Sequence, residues 1–181
     1  MVGPGRSPSR GSDAPGSLPG EALNALDLCR AKVRAAHSAL ATPLQERDKY
    51  RSVAAVHRSR LVGILIDTPA ARVDEAVEFW SAALGAQPYP APGEEQFTAL
   101  IGATPGLFTV VQAVDDAPRY HLDIETDDLQ AEVARLIALG AELVTRWKDA
   151  FTLRAPGGHL LCVVPVHSDP ETFTSSARTW S

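Results

Sequence analysis

Apolar and polar positions along this chain follow two periods, and the same succession of periods occurs twice. Residues 61–67 form a short, almost wholly apolar run, which predicts a strand. Val73, Val77, Trp80 and Leu84 then recur at three- and four-residue steps, which predicts a helix over 74–84 closed by Gly85. Pro88, Pro90, Pro92 and Gly93 break up the next stretch, so the second strand is expected to be short or irregular. Residues 97–101 and 107–114 read as two further strands, separated by turn chemistry from Gly102 to Gly106.

The second pass keeps this order. Residues 120–125 read as a strand. Asp127 and Asp128 start a helix, because Asp caps a helix N-terminus well and its charge suits that end. Leu129, Val133, Leu136, Ile137 and Leu139 give that helix its apolar stripe, and residues 142–147, 151–154 and 159–166 complete three strands. The expectation is an α+β fold of two β-α-β-β-β modules, module one over 60–115 and module two over 118–166. The first helix ends in Leu84, Gly85 and Ala86 and the second in Leu139, Gly140 and Ala141. One unit built twice places ligand chemistry where its copies face each other. The copies differ at the first strand, where Gly63 answers to His121.

The flanks read differently. Residues 1–20 are rich in Gly, Pro, Ser and Arg and predict a disordered tail. Residues 21–57 predict a helical extension, with Leu23, Leu26, Cys29, Val33, Ala36 and Leu40 on one stripe until Thr42 and Pro43 end it. This foreign composition is also what a product starting near Val56 to Arg60, from an alternative start codon, would leave behind. Residues 167–181 are polar and read as a loose C-terminal tail, with Phe173 and Trp180 as the residues able to dock.

Composition sharpens the class. Hydrophobic residues make up 45% and charged residues 22%, an ordinary globular balance. Net charge is −5 and uneven: residues 1–60 carry 10 Lys/Arg against 5 Asp/Glu, residues 61–181 carry 7 against 17. The acidic repeat region argues against nucleic-acid binding. No apolar run is long enough to span a membrane and no signal peptide is visible, so no membrane partner is expected. Cys29 and Cys162 lie far apart and form no metal-type pair, which sets a reduced, cytoplasmic location as the expectation. There is no Gly-rich phosphate loop and no hydrolase-type Ser–His or Cys–His pattern.

Particular residues carry a family likeness. Val111-Gln112-Ala113-Val114, the stretch from His121-Leu122-Asp123-Ile124-Glu125-Thr126 into Asp127-Asp128-Leu129, the helix end Leu139-Gly140-Ala141 and the final strand Leu161-Cys162-Val163-Val164 together resemble the vicinal oxygen chelate superfamily. Within it the chain is similar to small bacterial glyoxalase-like and bleomycin-resistance-like proteins, over residues 60–166. The resemblance implies two modules whose sheets curl into one cupped mixed sheet. It leaves open whether the modules pair within one chain or across a homodimer. It also implies that metal-dependent members hold their ion with one His, Gln or Glu on the first and last strand of each module, a donor set suited to Zn, Ni, Fe or Mn.

Carried onto this chain, those four positions are Gly63, Gln112, His121 and Cys162. Glycine donates nothing, Gln112 is a neutral ligand, His121 fits, and a lone Cys162 among apolar neighbours is commonly inert packing. The resemblance therefore implies a depleted metal site with no expected cofactor; a divalent ion, if held, would use Gln112, His121 and Cys162. Strand alternation puts His121, Asp123 and Glu125 on one face. His121 tuned by Asp123 reads as a general base or hydrogen-bond donor, or else the two form a satisfied polar pair in the sheet. On the facing module Gly63, Leu65 and Asp67 share a face; Gly63 leaves room for a ligand, and Asp67 is expected to cap the segment 70–84. Gly63, Leu65, Gln112, His121, Asp123 and Cys162 form the expected ligand-binding set, with His121 and Asp123 its catalytic candidates. Trp80 is expected in the core. Trp147, with Arg146 and Lys148, reads either as a rim of the cup or as surface strand. His159, after a Gly-Gly turn, is expected to be exposed.

Three functions are compatible with this set. The first is a protein that binds a small organic molecule in the cup without a complete metal site. The second is an enzyme of the lyase, isomerase or dioxygenase kind using His121 as base or metal ligand. The third is an interaction module whose N-terminal helix is the partner surface.

Overall fold

The computed structural model of the chain describes residues 55–147 and 149–181. The expected tail over 1–20 and all but the last residues of the helical extension lie outside the described residues.

Module one runs β1 (His57–Pro69), α1 (Val73–Leu84), β2 (Gln87–Pro90), β3 (Phe97–Ile101) and β4 (Phe108–Val114). Module two runs β5 (Arg119–Thr126), α2 (Leu129–Ala138), β6 (Glu142–Trp147), β7 (Ala150–Arg154) and β8 (Leu160–Pro165). One continuous sheet has the order β2-β3-β4-β1-β5-β8-β7-β6. Outward from its centre, each half has the same plan: β1 lies parallel to β4 and β5 parallel to β8. The halves join by antiparallel pairing of β1 with β5 within one chain. The fold is the α+β, two-module cupped mixed sheet.

The helices cover one face of this sheet. Val73, Ala76, Val77 and Trp80 of α1 pack, half-buried, on the core residues Ile66, Leu100 and Val111. Val133 and Ala134 of α2 pack with Leu143, Phe151, Leu153 and Val163. Leu84 and Leu139 fall outside these stripes and are exposed. Both sit at helix ends, where the chain turns away through left-handed Gly85 and Gly140. Asp128 caps α2 as expected, its carboxylate accepting from the Ala131 N–H at 3.0 Å. β2 is short and carries Pro88 and Pro90, which an edge strand tolerates because proline lacks an N–H for the ladder.

The opposite, inner face forms the cup. Leu65, Ala91, Phe97 and Val110 make an apolar cluster on module one, and Val62, Ala150 and Val164 another at the junction. The register of β1 against β5 shifts between Leu61 and Gly63. This bulge leaves Val62 unpaired yet buried at the junction, and lets Gly63, Leu65 and Asp67 face the same way as Asp123, His121 and Arg119 opposite them.

The C-terminal segment differs from the loose tail expected. Residues Pro170–Ser176 form helix α3, capped by Asp169, and Arg178–Trp180 form β9, paired with the start of β1. Phe173 is buried, and the Trp180 indole N–H donates to Ser59 Oγ at 2.8 Å under the Arg135 guanidinium, 3.9 Å from the ring centroid. The early half of β1 lies beyond the reach of β4, so β9 completes the sheet there. That start is further fixed by a buried pair, His57 Nε2 with Glu132 Oε2 at 2.8 Å.

Candidate functional site

Four strands meet at the floor of the cup. The cross-strand register sets Leu65 opposite His121, Gly63 opposite Asp123, Asp67 opposite both Arg119 and Gln112, and Cys162 beside Asp123. The six expected ligand-binding residues therefore share the inner face. His121 and Asp123 are buried, Gln112 and Cys162 half-buried.

Asp67 organises the cluster. Its Oδ2 accepts from His121 Nδ1 and from Arg119 Nε, each at 3.0 Å. The expected role as a helix cap is corrected: the first turn after Pro69 and the start of α1 have no side-chain cap. The bend at Pro69 carries the helix to the outer face, while strand parity holds Asp67 on the inner one. A carboxylate can only accept, so Nδ1 carries the proton in this pair and the Nε2 edge faces Asp123. That Nε2 lies 3.6 Å from Asp123 Oδ1. Asp67 Oδ1 and Gln112 Oε1 are buried with no hydrogen-bond partner among the described residues.

Arg119 supplies the nearest positive charge. Burial works against its charge, but hydrogen bonds and attraction from Asp116 and Asp67 outweigh that and hold its pKa above the ordinary guanidinium value. The net result is one orienting carboxylate with its counter-ion, one imidazole, a second buried carboxylate and a thiol. His121, Asp123 and Cys162 place one potential ligand atom each within 4.8 Å of one another.

Glu125 shares their face, but the C-terminal segment occupies it. It accepts from the backbone N–H groups of His167 and Ser168 at 2.8 and 2.9 Å and from the Ser168 hydroxyl, with Arg60 Nε at 3.5 Å. Glu125 thus anchors that segment across one end of the cup. His159 is exposed, as its turn suggested. A concavity of about 660 Å³ lies elsewhere, against α1 and β2, lined by Asp74, Val77, Glu78, Ser81, Pro88 and Pro90. Its two carboxylates are exposed and it holds no His, Cys or Lys, so its size is not matched by convergent chemistry.

The model of the glyoxalase-like domain family matches residues 63–164, more than half of the chain. The chain belongs to the glyoxalase-like domain family. No curated protein matches it. Among solved structures it is similar to methylmalonyl-CoA epimerase from Mycobacterium tuberculosis, at 20% identity and TM-score 0.42 over 59% of this chain and 87% of that one. It is similar to a variant of the Streptomyces coelicolor methylmalonyl-CoA epimerase in complex with 2-nitronate-propionyl-CoA, at 15% identity and TM-score 0.41 over 60% and 98%. A hypothetical protein from Staphylococcus aureus is similar at 10% identity and TM-score 0.39; 60% of this chain spans only 34% of it.

The four positions that the resemblance points to, Gly63, Gln112, His121 and Cys162, do not all fit a metal here. Gly63 offers no donor, and a Cβ built there meets Asp123 Cβ at 3.5 Å. No helix among the described residues is long and apolar enough to cross a membrane.

Proposed function

We propose that the cup binds a small organic molecule, with a polar group of that molecule set against His121 Nε2 and its apolar part along the Leu65, Phe97 and Val110 wall. One observation carries this reading: Asp67 accepts from His121 Nδ1 at 3.0 Å and so fixes the imidazole beside the apolar Leu65, Phe97 and Val110 cluster. A site with a few placed polar groups among apolar ones is the usual design for small-molecule recognition. The reading needs none of the superfamily's metal chemistry and suits a cytoplasmic protein in which Cys162 stays a thiol.

Native mass spectrometry and thermal shift against a library of small carboxylic acids, phenols and amides test it, with His121→Gln in parallel. Hits should raise the melting temperature of the native chain and lose most of that effect in the variant. Hits that bind both proteins equally, or no hits at all, contradict the reading.

The second reading is a lyase or isomerase in which His121 is the base, and the same Nδ1-to-Asp67 bond favours it, because it prepares Nε2 to take a proton. Deuterium exchange from D2O into a hit's acidic C–H, present in the native chain and absent in His121→Gln, is its expected signature.

A further inference from the structure

The two helices leave the middle of the outer sheet face partly bare. α1 packs on residues of β1, β3 and β4, and α2 on β6, β7 and β8. Between them lie β1 and β5, the two central strands. Their outward side chains form an apolar strip: Ile66 stands opposite Tyr120, Ile64 opposite Leu122 and Leu61 opposite Ile124. Tyr120 is 55% and Leu122 43% exposed, although both stand on a central strand. Exposed Phe79 of α1 extends the strip, since its ring meets Trp80 edge-on at 5.1 Å and Trp80 meets Tyr120 edge-on at 6.2 Å. A contiguous apolar strip on the helix-covered side of a sheet is a surface that a further element ordinarily covers. We infer that residues 23–40 of this same chain, which lie outside the described residues, dock there as a helix between α1 and α2. Their stripe of Leu23, Leu26, Cys29, Val33, Ala36 and Leu40 is the face that meets the strip.

Four observations support this occupant. The chain enters the domain on the right side: His57 Nε2 meets Glu132 Oε2 of α2 at 2.8 Å, so the start of β1 is held against the helix-bearing face. The lengths agree. A helical stripe from Leu23 to Leu40 is about 26 Å long, and the eight residues of β5 span about 26 Å. Residues 41–56 reach up to roughly 50 Å when extended, which is ample to bring the stripe back over the strip. Charge also selects the partner. Residues 1–60 carry 10 Lys/Arg against 5 Asp/Glu, and residues 61–181 carry 7 against 17. A second copy would set two acidic domains face to face, whereas the chain's own segment brings opposite charge. Finally, each surface answers the other's need. An isolated helix of this length is marginal in water until its apolar side is buried, and the tether supplies an effective concentration in the millimolar range.

Thiol labelling of the full chain tests the docking. Leu122→Cys puts a thiol on the strip, and its reaction with a maleimide is followed by peptide mass spectrometry, which separates it from Cys29 and Cys162. The same chain carrying Val33→Asp has a charge in the middle of the segment's apolar stripe. Circular dichroism verifies the fold of each variant, and Tyr120→Cys repeats the measurement should Leu122→Cys fail to fold. The expected result is labelling on the strip that is roughly tenfold or more slower with Val33 than with Val33→Asp. That protection should stay constant over about a hundredfold range of protein concentration, as an intrachain contact requires. Leu139→Cys, exposed at the end of α2 and off the strip, should label alike with and without Val33→Asp. Equal rates on the strip in the two backgrounds overturn the proposal. Protection that grows with protein concentration also overturns it, and assigns the strip to a second copy.

Discussion

Replacing Asp67 by Asn isolates the contact on which the site depends. The variant keeps the size and shape of the side chain and removes its charge. In the native chain one oxygen, on a side chain only 3% exposed, receives both the His121 and the Arg119 N–H. Hydrogen bonds to a charged group contribute roughly 1.5–3 kcal/mol each. Asn retains an acceptor oxygen, so neither bond is lost outright, and Arg119 is 34% exposed and regains part of its hydration. The two weakened bonds together give an expected loss of about 2–3 kcal/mol. For a domain of this size that lowers the melting temperature by roughly 8–12 °C. Urea unfolding at neutral pH, followed by tryptophan fluorescence, measures it. Pairing Asp67→Asn with His121→Gln in a double-mutant cycle should give a coupling of about 1 kcal/mol, since the residues touch. A loss below about 0.5 kcal/mol with no coupling to His121 would refute the assignment of Asp67 to the cup floor and restore a peripheral role.

Other substitutions test the frame around the site. Glu132→Gln should cost about 3 kcal/mol, because it breaks a buried pair with His57 and a hydrogen-bonded one with Arg135. Burial pushes the Glu132 pKa up, but hydrogen bonds from Arg135 and His57 outweigh it and leave it below its ordinary value of 4.5. Its contribution is therefore complete above pH 4.5 and is lost as pH falls through the lower folded value, so acid unfolding should steepen less in Glu132→Gln than in the native chain. Phe173→Ala should cost roughly 3 kcal/mol in urea unfolding, as expected of a buried phenylalanine, where a loose C-terminal tail predicts almost nothing. Gly63→Ala should fold with stability within about 1 kcal/mol of native, since the added Cβ meets only ordinary contacts at 3.5–3.7 Å; a larger loss by calorimetry contradicts the space assigned to Gly63.

Much of the fold was legible because its signals are local. The helical stripes ending at Gly85 and Gly140, the proline-broken β2 and the Asp128 cap each stem from neighbours in sequence. Strand parity likewise grouped Gly63, Leu65 and Asp67 on one side of β1 and His121, Asp123 and Glu125 on one side of β5. The roles of those residues depend on register, which no local pattern reveals. Asp67 looks like a helix cap beside Pro69 until β1 is aligned with β5 and Arg119 and His121 arrive opposite it. Glu125 looks like a pocket residue until the segment after Val166 folds back and takes its oxygens. That segment read as loose because it carries few apolar residues; its order comes from Phe173, Trp180 and hydrogen bonds to residues more than 40 positions earlier. The extra reach of β1 back to His57 has the same origin, since β9 supplies the partner that its early half requires.

The central claim is that His121 is held through Nδ1 and offers Nε2 to whatever enters the cup. Long-range ¹H–¹⁵N correlation spectra of the ¹⁵N-labelled chain observe both ring nitrogens of His121 directly, with His121→Gln providing the assignment. The account predicts a protonated Nδ1 near neutral pH, with Nε2 the nitrogen that shifts when a ligand is added. A His121 protonated at Nε2 and bare at Nδ1, or one whose nitrogens ignore every ligand that binds, would contradict it.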